Sequence, residues 1–356
     1  MKLSGNKGEW SELYAFIKLL STGKLYAADE RLRKLNEIYF PILKIIRSEE
    51  GRHLEYSIVS EERNVEIHLN AEMIKEVSQE TLAKRAAYIY KKIVEGNSRS
   101  FEIPESKKIM DELSCTRIAA PSSDKTDITL QIHDINTGYE PICGFSIKSE
   151  LGSAPTLLNA SGATNFVYEI TGISEERANE INNISSKTKI LDRIQAITEE
   201  GSIKYSHMKN PTFSGNLMLI DTYMEDIIAN LLLAYYKNEA SDCKKLIDAI
   251  EEKNPLGYPR NGIYAYKFKK FLCSIALGMV PSKTWDGKDE ANGGYVIVKD
   301  NGEVLAYHIY NRDAFESYLL NNTKLERGST SKHGFASIYI ENGKMYINLN
   351  LQVRFS

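Results

Sequence analysis

The sequence lacks the features of a secreted or membrane-embedded protein. Its 356 residues include four cysteines, Cys115, Cys143, Cys243 and Cys273, with no paired spacing of the kind found in zinc sites or redox dithiols. No apolar run approaches the roughly 20 residues that a membrane helix requires, and the first residues lack the apolar segment of a secretory signal. These absences predict a cytoplasmic protein with reduced cysteines and no membrane partner.

The sequence also lacks a strong charge of one sign. Lys and Arg number 45 against 48 Asp and Glu, so the formal net charge is −3 and does not by itself suggest a nucleic-acid partner. The distribution is uneven, because residues 121–258 carry 12 basic and 20 acidic side chains whereas residues 259–356 carry 13 and 9. Salt screens charges beyond about 10 Å, so a local excess matters more than the total. We therefore expect phosphate contacts in the basic carboxyl-terminal region.

Hydrophobic periodicity predicts a mixed α/β fold without internal repeats. Helical spacing of apolar residues indicates a first helix over 8–21 and a long helix that starts at Asn70 and ends at Gly96. Further segments are expected as strands over 41–47, 53–59 and 65–69, a hairpin of 127–133 and 140–149, an ordered loop over 151–165, a strand over 165–171, helices from about 174 to 279, and strands from 294 onward.

The sharpest local signal is an aspartate opposite a Ser-x-Lys pattern. Asp127 begins the first strand of the predicted hairpin, and Ser146 and Lys148 lie near the end of the second, on one face of that strand. Antiparallel pairing brings the start of one strand beside the end of the next, so the carboxylate and the lysine should converge. Such a pair suits phosphodiester hydrolysis, in which a carboxylate holds a divalent cation and a lysine orients or deprotonates water. The alternative is an ordinary cross-strand ion pair.

Three colinear segments in and around this pair carry a family resemblance. They are Gly5-Asn6-Lys7-Gly8-Glu9-Trp10-Ser11-Glu12 near the start, Gly144-Phe145-Ser146-Ile147-Lys148-Ser149 with Leu151-Gly152-Ser153 and Thr156-Leu157-Leu158-Asn159 in the middle, and Asn350-Leu351-Gln352-Val353-Arg354-Phe355 at the end. Three blocks in one order are far more specific than any one alone. Together they resemble the HpaII-type restriction endonucleases over nearly the whole chain.

The resemblance implies a type II deoxyribonuclease that depends on magnesium (Mg²⁺) and cuts double-stranded DNA at a short palindromic CG-rich site, with CCGG as the expected sequence. It implies an α/β (α+β) fold with a PD-(D/E)XK-like, restriction-endonuclease-like central mixed sheet flanked by helices. We expect residues 1–258 to form the nuclease core and residues 259–356 a β-rich DNA-recognition region. A palindromic site suits a homodimer, and a cognate DNA methyltransferase would be the functional partner.

The family motif matches this sequence at two positions and departs from it at a third. Asp127 matches the metal-binding carboxylate and Lys148 the lysine, so both are expected to be catalytic. Ser146 is also expected to belong to the catalytic set, although it stands where the motif has Asp or Glu and a hydroxyl is a much poorer magnesium ligand than a carboxylate. A second carboxylate is therefore expected from elsewhere in the chain.

Three glutamates are candidates for the missing carboxylate. Glu9 and Glu12 both fall inside the apolar arc of the first helix, where a glutamate is costly unless it is paired or metal-bound. Glu9 lies nearer the middle of the arc and is the first candidate, catalytic and metal-binding; Glu12 is the second and Glu150 the third. Equally, Glu9 and Glu12 suit a helix first turn, where acids interact favourably with the helix dipole.

Two polar segments are candidate DNA contacts. In the loop after Lys148, the residues singled out for phosphate or base-edge contacts are Asn159, Thr156 and Asn165. In the segment 326–334, a cluster of guanine-type donors and hydroxyls is formed by Arg327, Ser329, Thr330, Ser331, Lys332 and His333. The alternatives are a scaffold loop that uses Asn and Thr for turns, and a solvated polar turn.

Two rival functions remain open from the sequence. The absence of an acid at Ser146 allows a catalytically silent DNA-binding relative. A structure-directed DNA repair nuclease on the same core is the other. Cutting of a plasmid into discrete fragments in the presence of magnesium would exclude the first and argue against the second.

Overall fold

The computed structural model describes residues 3–121 and 126–356 and confirms a mixed α/β fold. The helices are α1 (Lys7–Thr22), α2 (Gln79–Glu95), α3 (Ser106–Glu112), α4 (Glu175–Asn182), α5 (Lys189–Glu200), α6 (Pro211–Ile220), α7 (Met224–Tyr236), α8 (Cys243–Lys253), α9 (Ile263–Leu277), α10 (Arg312–Asn321) and α11 (Thr330–His333). The strands are β1 (Ser4–Gly5), β2 (Lys24–Ala28), β3 (Lys34–Glu49), β4 (Arg52–Val59), β5 (Asn64–Leu69), β6 (Glu72–Ser78), β7 (Phe101–Glu102), β8 (Ile128–Ile132), β9 (Ile142–Ser149), β10 (Thr156–Leu158), β11 (Asn165–Thr171), β12 (Ser202–Met208), β13 (Gly294–Val298), β14 (Val304–His308), β15 (Thr323–Leu325), β16 (Ile338–Glu341), β17 (Lys344–Asn350) and β18 (Val353–Phe355). Over the described ranges, every helix is too short or too polar to cross a bilayer.

The chain divides into two compact units. The first comprises Met1–Pro155 and Asp289–Phe315, and the second comprises Thr156–Lys288 and Glu316–Ser356. The boundary predicted between residues 258 and 259 falls inside the second unit. The assignment of cutting to 1–258 and of recognition to 259–356 stays a prediction.

A nine-stranded sheet forms the centre of the first unit. Its strand order is β2-β14-β13-β9-β8-β3-β4-β5-β6. The β13–β9 and β14–β2 pairs are parallel, whereas β8–β9 and β3–β8 are antiparallel, so the sheet is mixed as predicted. The β8–β9 pairing, with Ile128 opposite Phe145, confirms the predicted hairpin.

Helix α1 packs its apolar face into the core of this unit. Asn6 caps the helix amino terminus, and Gly23 ends it in the left-handed conformation with φ of 63°. Trp10 is fully buried, and its indole nitrogen donates to the Phe101 carbonyl at 3.0 Å. The Ser11 and Ser149 hydroxyls share a hydrogen bond of 2.8 Å, which ties α1 to the end of β9.

One predicted helix start is wrong. The sequence predicts a helix from Asn70, but Asn70 has a φ of 51° and lies in the turn between β5 and β6. The helix begins after Ser78, whose hydroxyl accepts the Thr81 amide at 3.2 Å. Ile74 belongs to β6, an edge strand whose residues are mostly exposed. Asn is common both in left-handed turns and at helix N-caps, so either structure is possible at this residue. The pairing of β6 with β5 selects the turn.

The second unit combines helices with two smaller sheets. One has the order β12-β11-β17-β16 and the other β10-β18-β15, all with antiparallel neighbours. The Tyr168 hydroxyl on β11 donates to the Ala229 carbonyl on α7 at 2.7 Å, which fixes that helix to the sheet. The predicted strand over 165–171 is confirmed as β11, whereas β12 interrupts the stretch predicted as helical.

Candidate active site

A hydrogen-bonded row joins the three residues predicted from the hairpin. The Asp127 Oδ2 atom accepts the Ile147 amide at 2.6 Å and the Ser146 hydroxyl at 3.0 Å. The Lys148 Nζ atom donates to the Ser146 Oγ atom at 3.0 Å. Antiparallel pairing of β8 and β9 creates this arrangement, because the Asp127 amide donates to the Phe145 carbonyl at 2.9 Å and sets the register.

Ser146 connects the acid and the base of this row. It is buried, with 5% of its surface exposed. Its hydroxyl donates to Asp127 and accepts from Lys148, so it orients both charged groups without adding a charge of its own. The Lys148 ammonium also lies 5.4 Å from the centre of the Tyr295 ring on β13. Lys148 is thereby held beside the carboxylate.

Glu12 brings a second carboxylate to this row from helix α1. The Ser11–Ser149 hydrogen bond places the helix turn that carries Glu12 beside the end of β9. The Glu12 Oε2 atom accepts the Ala120 amide at 2.9 Å. Burial and, next, the nearby Asp127 carboxylate raise the pKa of Glu12 from its ordinary 4.5 to about 8, although the Ala120 amide and the Lys148 ammonium oppose the rise. Two carboxylates therefore converge beside one lysine.

Glu9 and Glu150 have other contacts. Glu9 accepts the Asn6 amide at 2.7 Å, and the Asn6 side chain accepts the Glu9 amide at 3.1 Å, which completes a capping box. Glu150 accepts the Asp300 amide at 3.3 Å. The geometry therefore favours Glu12 over the first candidate Glu9 and the third candidate Glu150 as the partner of Asp127.

The donor set fits a divalent cation that prefers oxygen ligands. Burial and, next, repulsion from Asp127 raise the pKa of Glu12, and a cation bound between the two carboxylates would offset that repulsion. In the part of the chain that the structure describes, no group of three or more His, Cys, Asp and Glu side chains is arranged to hold a metal ion. The other ligands would have to be water and phosphate oxygens, which is usual for Mg²⁺.

A buried ion pair supports the loop that contacts Glu12. Arg47 and Glu49 on β3 approach to 2.7 Å, and the Arg47 guanidinium also donates to the Arg117 carbonyl at 2.8 Å. The second carboxylate oxygen of Glu49 accepts the Thr116 hydroxyl at 2.9 Å and also its amide. The loop that presents the Ala120 amide to Glu12 is thus fixed to the central sheet.

Two cavities of the first unit adjoin the site. One has a volume of about 860 Å³ and is lined by Glu12, Lys148 and residues of two loops. The other has a volume of about 400 Å³ and is lined by Asp127, Arg47 and Arg117 among others. Bonds cross between the two linings, because Ile147 donates to Asp127 and Ala120 donates to Glu12. The acidic pair of Asp127 and Glu12 therefore lies between the two cavities.

The predicted DNA-contact segments both lie in the second unit, where they pack together. The buried Asn165 side chain donates to the His333 carbonyl at 2.9 Å. Asn350 donates to the Ser161 carbonyl at 2.7 Å and to the Asn165 side-chain oxygen at 2.6 Å. A Cβ atom added to Gly328 would come within 2.6 Å of the Ala160 Cβ atom, so the two segments are in close contact.

Side-chain exposure separates the candidates within these segments. The exposed ones are Asn159, Arg327, Ser329, Ser331 and Lys332, and those of intermediate exposure are Thr156, Thr330 and His333. Asn165 is 1% exposed, and both ends of its side-chain amide are bonded within the protein. Its contacts hold the two segments together rather than leaving it available to DNA. Arg327 lies 5.9 Å from the centre of the Tyr235 ring, which supports its guanidinium.

Comparison with known proteins shows the family of the chain. A family model described as HpaII restriction endonuclease matches residues 6–355. The type II restriction enzyme HpaII of Haemophilus parainfluenzae is 40% identical over 357 residues, which covers 99% of this chain and 98% of that enzyme. No solved structure matches the chain. The chain belongs to the HpaII restriction endonuclease family, a family of type II site-specific deoxyribonucleases.

Sequence reasoning missed several groups around the site. The buried Arg47–Glu49 pair sits on a strand that reads as ordinary alternation, and its contact with 116–117 spans about 70 residues. The Ala120 amide is a backbone group, so the identity of residue 120 does not predict its hydrogen bond to Glu12. The choice between Glu9 and Glu12 had a usable signal, because Asn6 followed three residues later by Glu9 is the pattern of a capping box.

Proposed function

We propose that this protein cuts double-stranded DNA at the palindrome CCGG in a reaction that requires Mg²⁺, with Asp127, Glu12 and Lys148 as its catalytic residues. The observation that carries the proposal is the row Asp127–Ser146–Lys148 with the Glu12 carboxylate beside it. Membership in a family of type II restriction enzymes supports DNA as the substrate. The PD-(D/E)XK arrangement is then present with its second acid moved from position 146 to helix α1.

Each side chain has a distinct task in this reaction. Asp127 and Glu12 would hold the magnesium ion, which supplies a Lewis acid beside the scissile phosphate. Lys148, fixed by Ser146, orients the attacking water for in-line displacement and offsets the negative charge that develops on the phosphate. Ser146 keeps the lysine and Asp127 in register. No covalent intermediate with the protein is required.

Recognition of the CG-rich site is assigned to the paired segments of the second unit. Arg327 and Lys332 offer the donors that suit guanine N7 and O6, and the hydroxyls of Ser329, Thr330 and Ser331 suit phosphates or bases. Asn159 and Thr156 extend the same set, with His333 at its edge. The bonds of Asn165 support this role by holding the two segments in one arrangement.

A palindromic target has consequences for assembly. A homodimer matches the two-fold symmetry of the site and allows both strands to be cut. We propose that such a dimer forms at least on DNA, and that a cognate methyltransferase protects host CCGG sites in the same cytoplasm.

Digestion of a plasmid with mapped CCGG sites tests the proposal. We expect discrete fragments whose sequenced ends all lie at CCGG, with Mg²⁺ required and with methylated sites compared in parallel. The Lys148→Ala variant should bind the site in Ca²⁺ but leave it uncut. Wild-type cutting at another fixed sequence would overturn the CCGG assignment, cutting at junctions or flaps would support a repair nuclease, and near wild-type cutting by Lys148→Ala would overturn the site.

A further inference from the structure

Three cations lie beside the proposed active site and outside the basic carboxyl-terminal third. Lys7 and Arg99 line the larger cavity together with Lys148 and Glu12. Arg117 lines the smaller cavity together with Asp127. Within residues 3–121 and 126–356, Lys7, Arg99 and Arg117 take part in no ion pair. Their charges are therefore available to an anionic ligand.

Lys7 and Arg99 are held in a fixed relation to one another. Strands β1 and β7 pair with Ser4 opposite Glu102, and the Ser4 and Ser100 hydroxyls share a hydrogen bond of 2.8 Å. These contacts place the start of α1, which carries Lys7, beside the loop that carries Arg99. The Trp10 indole bond to the Phe101 carbonyl adds a buried anchor. The backbone segments that carry Lys7 and Arg99 are therefore fixed beside one another.

The larger cavity suits a polyanion. Its charged lining residues are the three cations Lys7, Arg99 and Lys148 and the single carboxylate Glu12. At about 860 Å³ it has the size of a typical ligand site. A DNA strand carries a phosphate for about every 3.4 Å along its axis, so a strand that passes the active site presents several phosphates to these walls.

Arg117 lies on the other side of the acidic pair. The Arg117 carbonyl is held by the buried Arg47, so the backbone that carries its side chain is fixed. In the smaller cavity Arg47 is already neutralised by Glu49, which leaves Arg117 as the cation facing Asp127 and the exposed Glu290. Metal binding at Asp127 would leave this wall suited to a phosphate.

We propose that the cleaved DNA strand runs through both cavities, with Lys7 and Arg99 binding phosphates on one side of the scissile phosphate and Arg117 binding one on the other side. This rests on the proposed function of Asp127, Glu12 and Lys148. The three cations are positioning residues, because they fix the strand so that the scissile phosphate lies over the acidic pair. Contacts of this kind set register and carry no sequence preference.

The path can be tested by replacing the charged DNA phosphates near the cut, one at a time, with neutral methylphosphonates. A duplex with one CCGG site is prepared as a series in which a single methylphosphonate replaces each phosphate near the cut, and binding is measured in Ca²⁺ over a range of salt. Arg99→Gln, Lys7→Gln and Arg117→Gln should each weaken binding several-fold to tenfold on the unmodified duplex and lower the salt slope by about one. A methylphosphonate at the contacted phosphate should weaken the wild type but not the matching variant.

The pattern of coupling gives the direction of the strand. The phosphates coupled to Lys7 and Arg99 should lie on one side of the cut and the phosphate coupled to Arg117 on the other. Arg99→Lys should restore part of the coupling, which a purely structural loss would not. Lys108→Gln and Arg31→Gln, two exposed cations of the same unit away from the cavities, are the matched controls and should leave affinity and salt slope unchanged.

Two results separate failure of the path from failure of the proposed function. If the three variants match the controls at every phosphate while Asp127→Asn no longer cuts, the path is wrong and the active site stands. If Asp127→Asn cuts like the wild type, the proposed function is wrong. Coupling of all three cations to phosphates on one side of the cut would overturn the proposed path through both cavities. Melting temperatures of the variants verify that each remains folded.

Discussion

The Ser146 hydroxyl donates a hydrogen bond of 3.0 Å to the Asp127 carboxylate. The same oxygen accepts a hydrogen bond from Lys148. The serine therefore links the carboxylate and the lysine, and the Glu12 carboxylate from helix α1 lies close enough to interact with both. In the proposed function, Glu12 takes the place of the acid that the PD-(D/E)XK motif has at position 146.

The two helix glutamates provide a matched pair of variants. Glu12→Gln removes a charge beside Asp127 and should lower the cleavage rate by at least about a hundredfold, since it takes away a proposed metal ligand. Glu9→Gln keeps a side chain that can complete the capping box and should cut within a few-fold of the wild type. Single-turnover cleavage at saturating Mg²⁺ measures both. If the cleavage rate falls equally in the two variants, or falls in Glu9→Gln alone, the choice of Glu12 over Glu9 as the metal ligand is wrong.

The buried Glu12 predicts a pH dependence of stability without metal. Its pKa is about 8 when folded and near 4.5 when unfolded, so the unfolded chain binds fewer protons between these values and stability falls as pH rises from about 4.5 to 8. Each unit of pKa difference is worth about 1.4 kcal/mol, and solvent contact reduces the sum, so Glu12→Gln should be more stable than wild type by about 2 to 4 kcal/mol near pH 8.5.

Denaturant unfolding of both proteins in a chelator measures this difference. It should shrink towards zero below about pH 4, where Glu12 is protonated in both states. Added Ca²⁺ should stabilise the wild type at high pH and leave Glu12→Gln nearly unchanged, because binding to the folded state raises stability by mass action. A constant difference between the two proteins across the pH range would show that the Glu12 carboxyl does not titrate as described.

Ser146→Ala tests the linking hydroxyl. Asp127 keeps its bond from the Ile147 amide at 2.6 Å, so the fold should persist, but Lys148 loses its acceptor. We expect the cleavage rate at saturating DNA to fall by about 10- to 100-fold with little change in the affinity for DNA in Ca²⁺. Single-turnover rates and binding isotherms report the two effects. Weakened binding with an unchanged rate would contradict the positioning role.

Variants of Asn165 and Arg327 should distinguish a residue that stabilises the second unit from one that recognises DNA. Asn165→Ala removes two buried hydrogen bonds and should cost about 2 to 4 kcal/mol of stability. Arg327→Gln alters an exposed side chain and should change stability by less than about 0.5 kcal/mol, while reducing specific binding by about 1 to 3 kcal/mol and non-specific binding far less. Denaturant unfolding curves measure the change in stability, and competition binding measures specific against non-specific affinity for DNA. If Arg327→Gln weakens both kinds of DNA equally, it contacts phosphate and not a base.

Local pattern was sufficient to predict the hairpin that carries the proposed active site. Alternation over 127–133 and 140–149, with a polar turn between, specifies pairing that brings Asp127 beside Ser146 and Lys148, because both strands are adjacent in sequence. The strand over 165–171 and the first helix follow from periodicity in the same way.

Features that depend on distant residues were not accessible from sequence alone. The turn at Asn70 is decided by the pairing of β6 with β5, which overrides the helical spacing of its apolar residues. The selection of Glu12 depends on the Ser11–Ser149 contact and on the Ala120 amide, which lies 108 residues away in the chain. The nine-stranded sheet also pairs strands that are far apart in sequence, such as β13 with β9, and local patterns do not predict such pairs.

The position of the metal ion tests the central claim most directly. Crystals of the protein bound to a CCGG duplex in Ca²⁺ would show the ion relative to Asp127 and to the helix glutamates. We predict an ion at about 2.3 to 2.6 Å from carboxylate oxygens of both Asp127 and Glu12 and from an oxygen of the scissile phosphate, with Lys148 beside that phosphate. An ion coordinated by Glu9, or one bound away from Asp127, would contradict the account.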